Sequence, residues 1–169
     1  AFWTGARAEE GWALRVGDID LRRRRISIER AWSGSNARGR ILDDPKSGRA
    51  RSVPIVDEAI DLFANLTEGR DPGEWLFHGS RGQALWHRNF RASVDWPRAV
   101  IAAGFPGFRF HDLRHSYATF LLDQGVPVHV VQGILGHASI ATTQGYIHTN
   151  DHGLEVTIET IRQRHSAAS

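Results

Sequence analysis

The chain reads as an α+β protein, mainly α, with a small three-stranded antiparallel sheet near its N-terminus. Three observations predict this class. Between residues 26 and 55, short runs of alternating apolar and polar residues are separated by turn-forming stretches, which is the period-two signature of half-buried strands. From Val56 onward the apolar spacing becomes helical. Hydrophobic residues make up 41% of the 169, enough for the core of one domain spanning 1–169.

The elements follow in order. ARAEEGWALRV carries apolar or small residues at helical spacing and predicts a short helix ending near Gly17. Ile26 to Trp32 alternates as a strand, and SGSNARG is a turn-rich connection. Arg40–Pro45 and Ala50–Ile55 read as two more strands joined by KSGR, with Lys46 at the hairpin turn. Asp57 to Leu66 is an amphipathic helix. Asp71-Pro72-Gly73 breaks the chain, and Trp75-Leu76-Phe77 is a short apolar insert. A longer helix is expected over Leu85 to Ala103, disturbed at Pro97. Helices then follow over His111–Gln124, closed by Gly125, and over Pro127–Leu135. Ser139–Tyr146 is a short one, and the amphipathic Leu154–Arg164 closes the chain.

Composition narrows the class of function. There is no Cys, hence no disulfide and no thiolate metal site. No apolar run reaches 18 residues and no signal-peptide pattern is present, so no membrane span is expected, and the absence of Cys fits a cytoplasmic protein. The chain contains no Met and opens on AFWTG, so a piece of a longer protein, with a segment upstream, is expected. The net charge is only +2, but residues 1–55 hold 12 Lys and Arg against 7 Asp and Glu. That basic first third predicts a surface for a polyanion. Of the 21 basic residues only Lys46 is a Lys. An ammonium can give up its proton where a guanidinium cannot, so a site that needs a cationic general acid would keep a Lys; drift leaving one behind is the competing reading.

The segment from His111 to His148 carries the chemistry. His111 and Arg114 lie one helical turn apart, His137 follows, and Tyr146 comes nine residues later. A proton-transfer group, a guanidinium, a further donor and a phenol suit work on a phosphodiester. Taken alone, the His111–Arg114 pair reads first as a core His and a solvated Arg. A metal-dependent alternative through His111, Asp112 and His115 would need further ligands, and His78, His87 and His129 show no ligand spacing. No metal and no cofactor is expected.

These pieces, with TGARAEE at Thr4–Glu10, PKSGRARSVPI, HDLRHSYAT and LGHASIATTQGYIH, resemble the catalytic domain of the tyrosine recombinases, the phage integrase family. The resemblance runs from Thr4 to His148 and rests on ordered boxes, each weak alone. It implies that fold, and it places Arg7 as the first arginine and Glu10 as the acidic residue one turn on. It places Lys46 in the β-hairpin, His111 and Arg114 in the second box, and His137 with the nucleophile Tyr146 in the last.

Chemistry agrees with that placement. Arg7 and Arg114 can hold the non-bridging oxygens as attack adds charge to them, and His137 can donate to the same oxygens. Tyr146 attacks, His111 moves its proton, and Lys46 protonates the leaving 5′-oxygen. Glu10, being acidic, is expected to orient Arg7 or His111. Arg22, Arg23, Arg24, Arg25 and Arg49 are the candidate DNA-backbone contacts, with a solvated basic turn as the competing reading for the first four. The resemblance implies double-stranded DNA as partner and a homotetramer in the synapse. An upstream DNA-binding domain is expected, without which the isolated chain would be a weakly binding monomer. Two alternatives stand beside recombination: nicking and closing of the type IB topoisomerase kind, and a catalytically silent DNA-binding module.

Overall fold

The computed structural model describes residues 3–34, 41–45, 48 and 50–136. Helix α1 (Ala8–Gly11) is one turn long and does not run to Gly17 as its composition suggests. Trp12, Ala13 and Leu14 are all buried, so this stretch has no solvent face for a helix to present. Trp12 and Ala13 form a turn instead, and the chain from Leu14 then runs beside residues 74–76. The Val16 N–H donates to Glu74 O at 2.9 Å, and the Leu76 N–H donates to Leu14 O at 2.8 Å. The Trp75-Leu76-Phe77 insert is thereby explained as a partner of the chain that follows α1.

Strands β1 (Ile19–Asp20), β2 (Arg25–Ile28) and β5 (Arg51–Pro54) form an antiparallel sheet in the order β1-β2-β5. Strands β3 (Ala31–Ser33) and β4 (Ile41–Asp43) form a separate two-stranded ladder. The three-stranded sheet near the N-terminus is present, but its membership differs from the expectation. The run from Ile26 to Trp32 divides into β2 and β3, and among the described residues the expected middle strand, β4, pairs with β3 and not with β5. The division follows from the pleat. Ile26 and Ile28 point inward two residues apart, whereas the next buried residue, Ala31, comes three further on and breaks the period of two.

Ile26 lies opposite Val53 across the sheet, and both are fully buried. Helix α2 (Asp57–Thr67) lays Ala59 and Phe63, one turn apart, onto this face. Each buried Ile, Val or Phe contributes roughly 1.5–3 kcal/mol relative to exposure. The expected long helix is two: α3 (His87–Ser93) and α4 (Trp96–Ala102). They separate at Asp95, which is left-handed at φ 44°. Pro97 opens α4; inside a continuous helix its ring would strike the carbonyl of Ser93.

Helices α5 (Asp112–Asp123) and α6 (Val128–Leu135) build a second core from Tyr117, Ala118, Leu121, Val131 and Leu135. The buried face of α5 includes Arg114, which is 2% exposed, while Leu113 and Phe120 are only half-buried. The charge expected beside the apolar stripe sits within it. The expected helices Ser139–Tyr146 and Leu154–Arg164 lie outside the described residues. Among the described residues, no helix is long and apolar enough to cross a membrane.

Candidate active site

The site gathers at the C-terminal end of α6, where three successive carbonyls each accept from a different arginine. Arg51 Nε donates to Ile134 O at 2.9 Å. Arg114 Nη2 donates to Leu135 O at 2.8 Å, and Arg7 Nη2 donates to Gly136 O at 3.3 Å. The last carbonyls of a helix have no partner within it and carry the negative end of its dipole, so guanidiniums are the natural cap. Gly136 closes α6 in the left-handed conformation at φ 67°. A Cβ there would stand 3.0 Å from Arg51 Nη1, so the close approach of the arginine needs glycine as well.

Arg7 precedes α1 and is placed by Glu10. The Arg7 N–H donates to Glu10 Oε2 at 2.8 Å, and Arg7 Nη1 donates to Oε1 at 3.0 Å. Glu10 is fully buried. Burial alone would raise its pKa, but hydrogen bonds and charge from Arg51, then from Arg7, outweigh this and hold the carboxyl below the ordinary range. Glu10 thus faces two guanidiniums. Of the two partners the sequence suggested for it, Arg7 is the one bonded here.

Arg114 also donates through Nη1 to Gly5 O. Gly5 has φ 59°, and a Cβ on it would stand 2.6 Å from Leu135 Cδ2 and 2.9 Å from Tyr117 Cδ1. Only glycine lets the segment before Arg7 approach α5 and α6 this closely. His111 caps the start of α5, and the His115 ring lies edge-on to it at 4.8 Å between centroids. The pKa of His111 is lowered by burial first, then by the positive fields of His115, Arg114 and Arg109, against a smaller opposing effect of Asp112. Its neutral form is therefore favoured.

A cleft of about 610 Å³ joins these groups: Arg7, Glu9, Glu10 and His111 line one side, and Trp32 and Asp43 of the β3–β4 ladder the other. A smaller recess of about 120 Å³ brings His111 and Arg114 together with His87 and Glu9. Thus the structure assembles Arg7, Glu10, His111 and Arg114 from segments remote in sequence. Lys46, Arg49, His137 and Tyr146 lie outside the described residues. Arg22, Arg23, Arg24 and Arg25 occupy the exposed turn and strand start between β1 and β2, where Arg23 pairs with Asp20 and Arg24 with Asp57.

One member went unrecognised in the sequence. Arg51 carries a readable signal: it shares the inward pleat with Val53 and Ile55, and a charge on an apolar face demands a buried partner. His115, which the sequence allows as a surface or a supporting group, borders His111; its spacing of four residues from His111 is the sign that favours the second.

Comparison with known proteins adds to this geometry. Residues 1–152 match the model of the phage integrase family. The chain is 38% identical over 152 residues to the tyrosine recombinase XerC of Mycobacterium leprae, covering 86% of this chain and 46% of that protein. It is 34% identical over 169 residues to XerC of Corynebacterium efficiens, covering 98% and 48% respectively. The chain therefore spans about half the length of the curated relatives it matches. Among solved structures, XerA recombinase superposes with a TM-score of 0.65 at 28% identity, over 95% of this chain and 54% of that one. The Tn1549 transposon integrase, solved with circular intermediate DNA, superposes with a TM-score of 0.74 at 22% identity, over 95% and 57%, a likeness of fold.

Proposed function

The chain belongs to the phage integrase family of tyrosine recombinases, and from that premise we propose that it cuts and rejoins double-stranded DNA at specific sites through a 3′-phosphotyrosine intermediate. The observation that carries this reading is the convergence of Arg7 and Arg114 on adjacent carbonyls at the end of α6, beside a His111 whose neutral form is favoured. Two guanidiniums from distant segments, brought to one place, suit an anion with several oxygens.

In the proposed reaction the Tyr146 hydroxyl oxygen attacks phosphorus and the bond to the 5′-oxygen breaks. Arg7, Arg114 and His137 stabilise the charge gained by the non-bridging oxygens. His111 accepts the Tyr146 proton, and Lys46 delivers one to the departing 5′-oxygen. The phosphodiester energy is kept in the protein–DNA bond, so a 5′-hydroxyl of another strand can reverse the step. The reaction then needs neither ATP nor metal. The partner is double-stranded DNA, in a tetramer of this protein at the synapse, in the cytoplasm at the nucleoid.

The test is a suicide duplex nicked beside the cleavage site, so that the short 5′-hydroxyl strand diffuses away. In EDTA a covalent adduct linked to a DNA 3′-end is expected by denaturing gel. The absence of an adduct, or an adduct that forms only with added divalent metal, sinks the proposal.

The acid limb of cleavage supplies a second expectation. A base must be unprotonated to act, and His111 has a lowered pKa. Cleavage should persist below the ordinary histidine range, about 6.5, before it falls. His115→Gln removes one positive neighbour, so the pKa of His111 should rise and the limb should move to higher pH. Single-turnover rates across pH check this; a limb that stays in place removes His115 from the account.

A further inference from the structure

Arg51 has no part in the proposed chemistry, yet it joins three segments of the site. Its side chain is 8% exposed and rises from β5 on the inward pleat, opposite Ile28. Among the described residues it engages partners through Nη1, Nη2 and Nε. Nη1 reaches Glu10 Oε1 at 3.0 Å, Nη2 reaches Oε2 at 2.6 Å, and Nε reaches Ile134 O at 2.9 Å. This is a bidentate fork with the third donor turned to a helix end, a pattern a lysine cannot supply.

The carboxylate that Arg51 grips is the one that places Arg7. Both guanidiniums meet Oε1 at 3.0 Å through an Nη1. The same two arginines also grip α6, on carbonyls two residues apart. Glu10 therefore divides its charge. With Arg51 absent, the whole buried carboxylate would act on Arg7 and draw its guanidinium inward, away from the cleft it lines. The end of α6 would also lose its tie to the sheet.

We propose that Arg51 is a positioning residue: by taking up the charge of Glu10 and anchoring the end of α6, it holds Arg7 toward the cleft for the phosphodiester. This role rests on the recombinase reading above. It acts on cleavage after DNA is bound, and it acts through Glu10.

The test uses the full-length protein and measures single-turnover adduct formation at saturating nicked duplex, with DNA affinity measured separately. Arg51→Gln should slow adduct formation about tenfold to a hundredfold while the Kd stays within about twofold, because a misplaced group costs rate more than binding. Arg51→Lys, which keeps the charge and loses the fork, should fall between the two. Glu10→Gln combined with Arg51→Gln should be no slower than Arg51→Gln alone, since both act through one contact. That double variant leaves no unpaired buried carboxylate, so it serves if the single variant does not fold. A parental rate in Arg51→Gln, or losses that multiply in the double variant, overturns the proposal.

A measurement without DNA separates this role from the recombinase reading. Rotation of the Arg7 guanidinium about Nε–Cζ, followed by nitrogen NMR, should be at least about tenfold slower in Arg51→Gln, where the whole carboxylate acts on it, and faster than in the parent in the double variant, where that carboxylate is gone. Unchanged rotation overturns the positioning role, even if the parent protein forms no adduct at all.

Discussion

Tyr146→Phe is expected to abolish the covalent adduct, while Tyr117→Phe keeps the parental rate. The chain has two tyrosines, and their surroundings separate them. Tyr117 is fully buried in the core between α5 and α6, and burial raises its pKa. Among the described residues its buried hydroxyl has no hydrogen-bond partner. A phenol so placed neither reaches DNA nor sheds its proton, so it cannot replace the lost nucleophile. Removing an unpaired buried hydroxyl should leave stability within about 1 kcal/mol of the parent. Tyr146 is in the segment that the family resemblance names for attack, and loss of its oxygen removes the atom that bonds phosphorus. Adduct yield on the nicked duplex in EDTA checks both variants. An adduct that survives Tyr146→Phe, or disappears in a folded Tyr117→Phe, contradicts the assignment.

Glu10→Ala is expected to produce the largest loss of stability. It leaves the Arg7 and Arg51 guanidiniums, 22% and 8% exposed, without their anion, and it strips the Arg7 N–H of its acceptor. Breaking a buried ion pair from one side costs about 3–5 kcal/mol, because the remaining charge stays uncompensated. For a domain of this size that is a fall in Tm of roughly 6–20 °C. The pH dependence has a definite sign. The folded-state pKa of Glu10 is depressed, so its contribution is present above the unfolded value of about 4.3 and disappears as pH falls through the lower folded value. The gap in Tm between parent and Glu10→Ala should therefore narrow on acidification through that window. Thermal unfolding from neutral to acid pH checks this; a loss under about 1 kcal/mol at neutral pH shows that Glu10 is not the tie described here.

Much of the site was legible because polar chemistry leaves local marks. His111 caps α5 and Arg114 lies in its first turn, so their spacing of three residues brings both to one recess. Arg7 and Glu10 lie one turn apart, and they do meet. Arg51 was less visible, for its meaning depends on which face of β5 is covered, and the neighbours that cover it come from α1 and α6. The fold shows the same division. Helices α2 and α6 follow their apolar spacing closely, whereas α5 turns the charged Arg114 inward with its apolar residues. Helix α1 stops early because Trp12 to Leu14 are surrounded, and that is a property of their neighbours.

By itself the sequence determined the helical periods, the strand runs, the positions of Gly5 and Gly136, and the residue types able to handle a phosphodiester. Each depends on dihedral preference or on chemistry carried by the residue itself. Only the tertiary structure decided that β3 and β4 stand apart from the sheet, and that three arginines end on the carbonyls of Ile134, Leu135 and Gly136. The reason is physical. A helix end offers unpaired carbonyls and negative charge to whatever packs against it, and a buried carboxylate must find cations. Which arginines answer that demand depends on chain segments meeting across the core, and no spacing along the sequence specifies it.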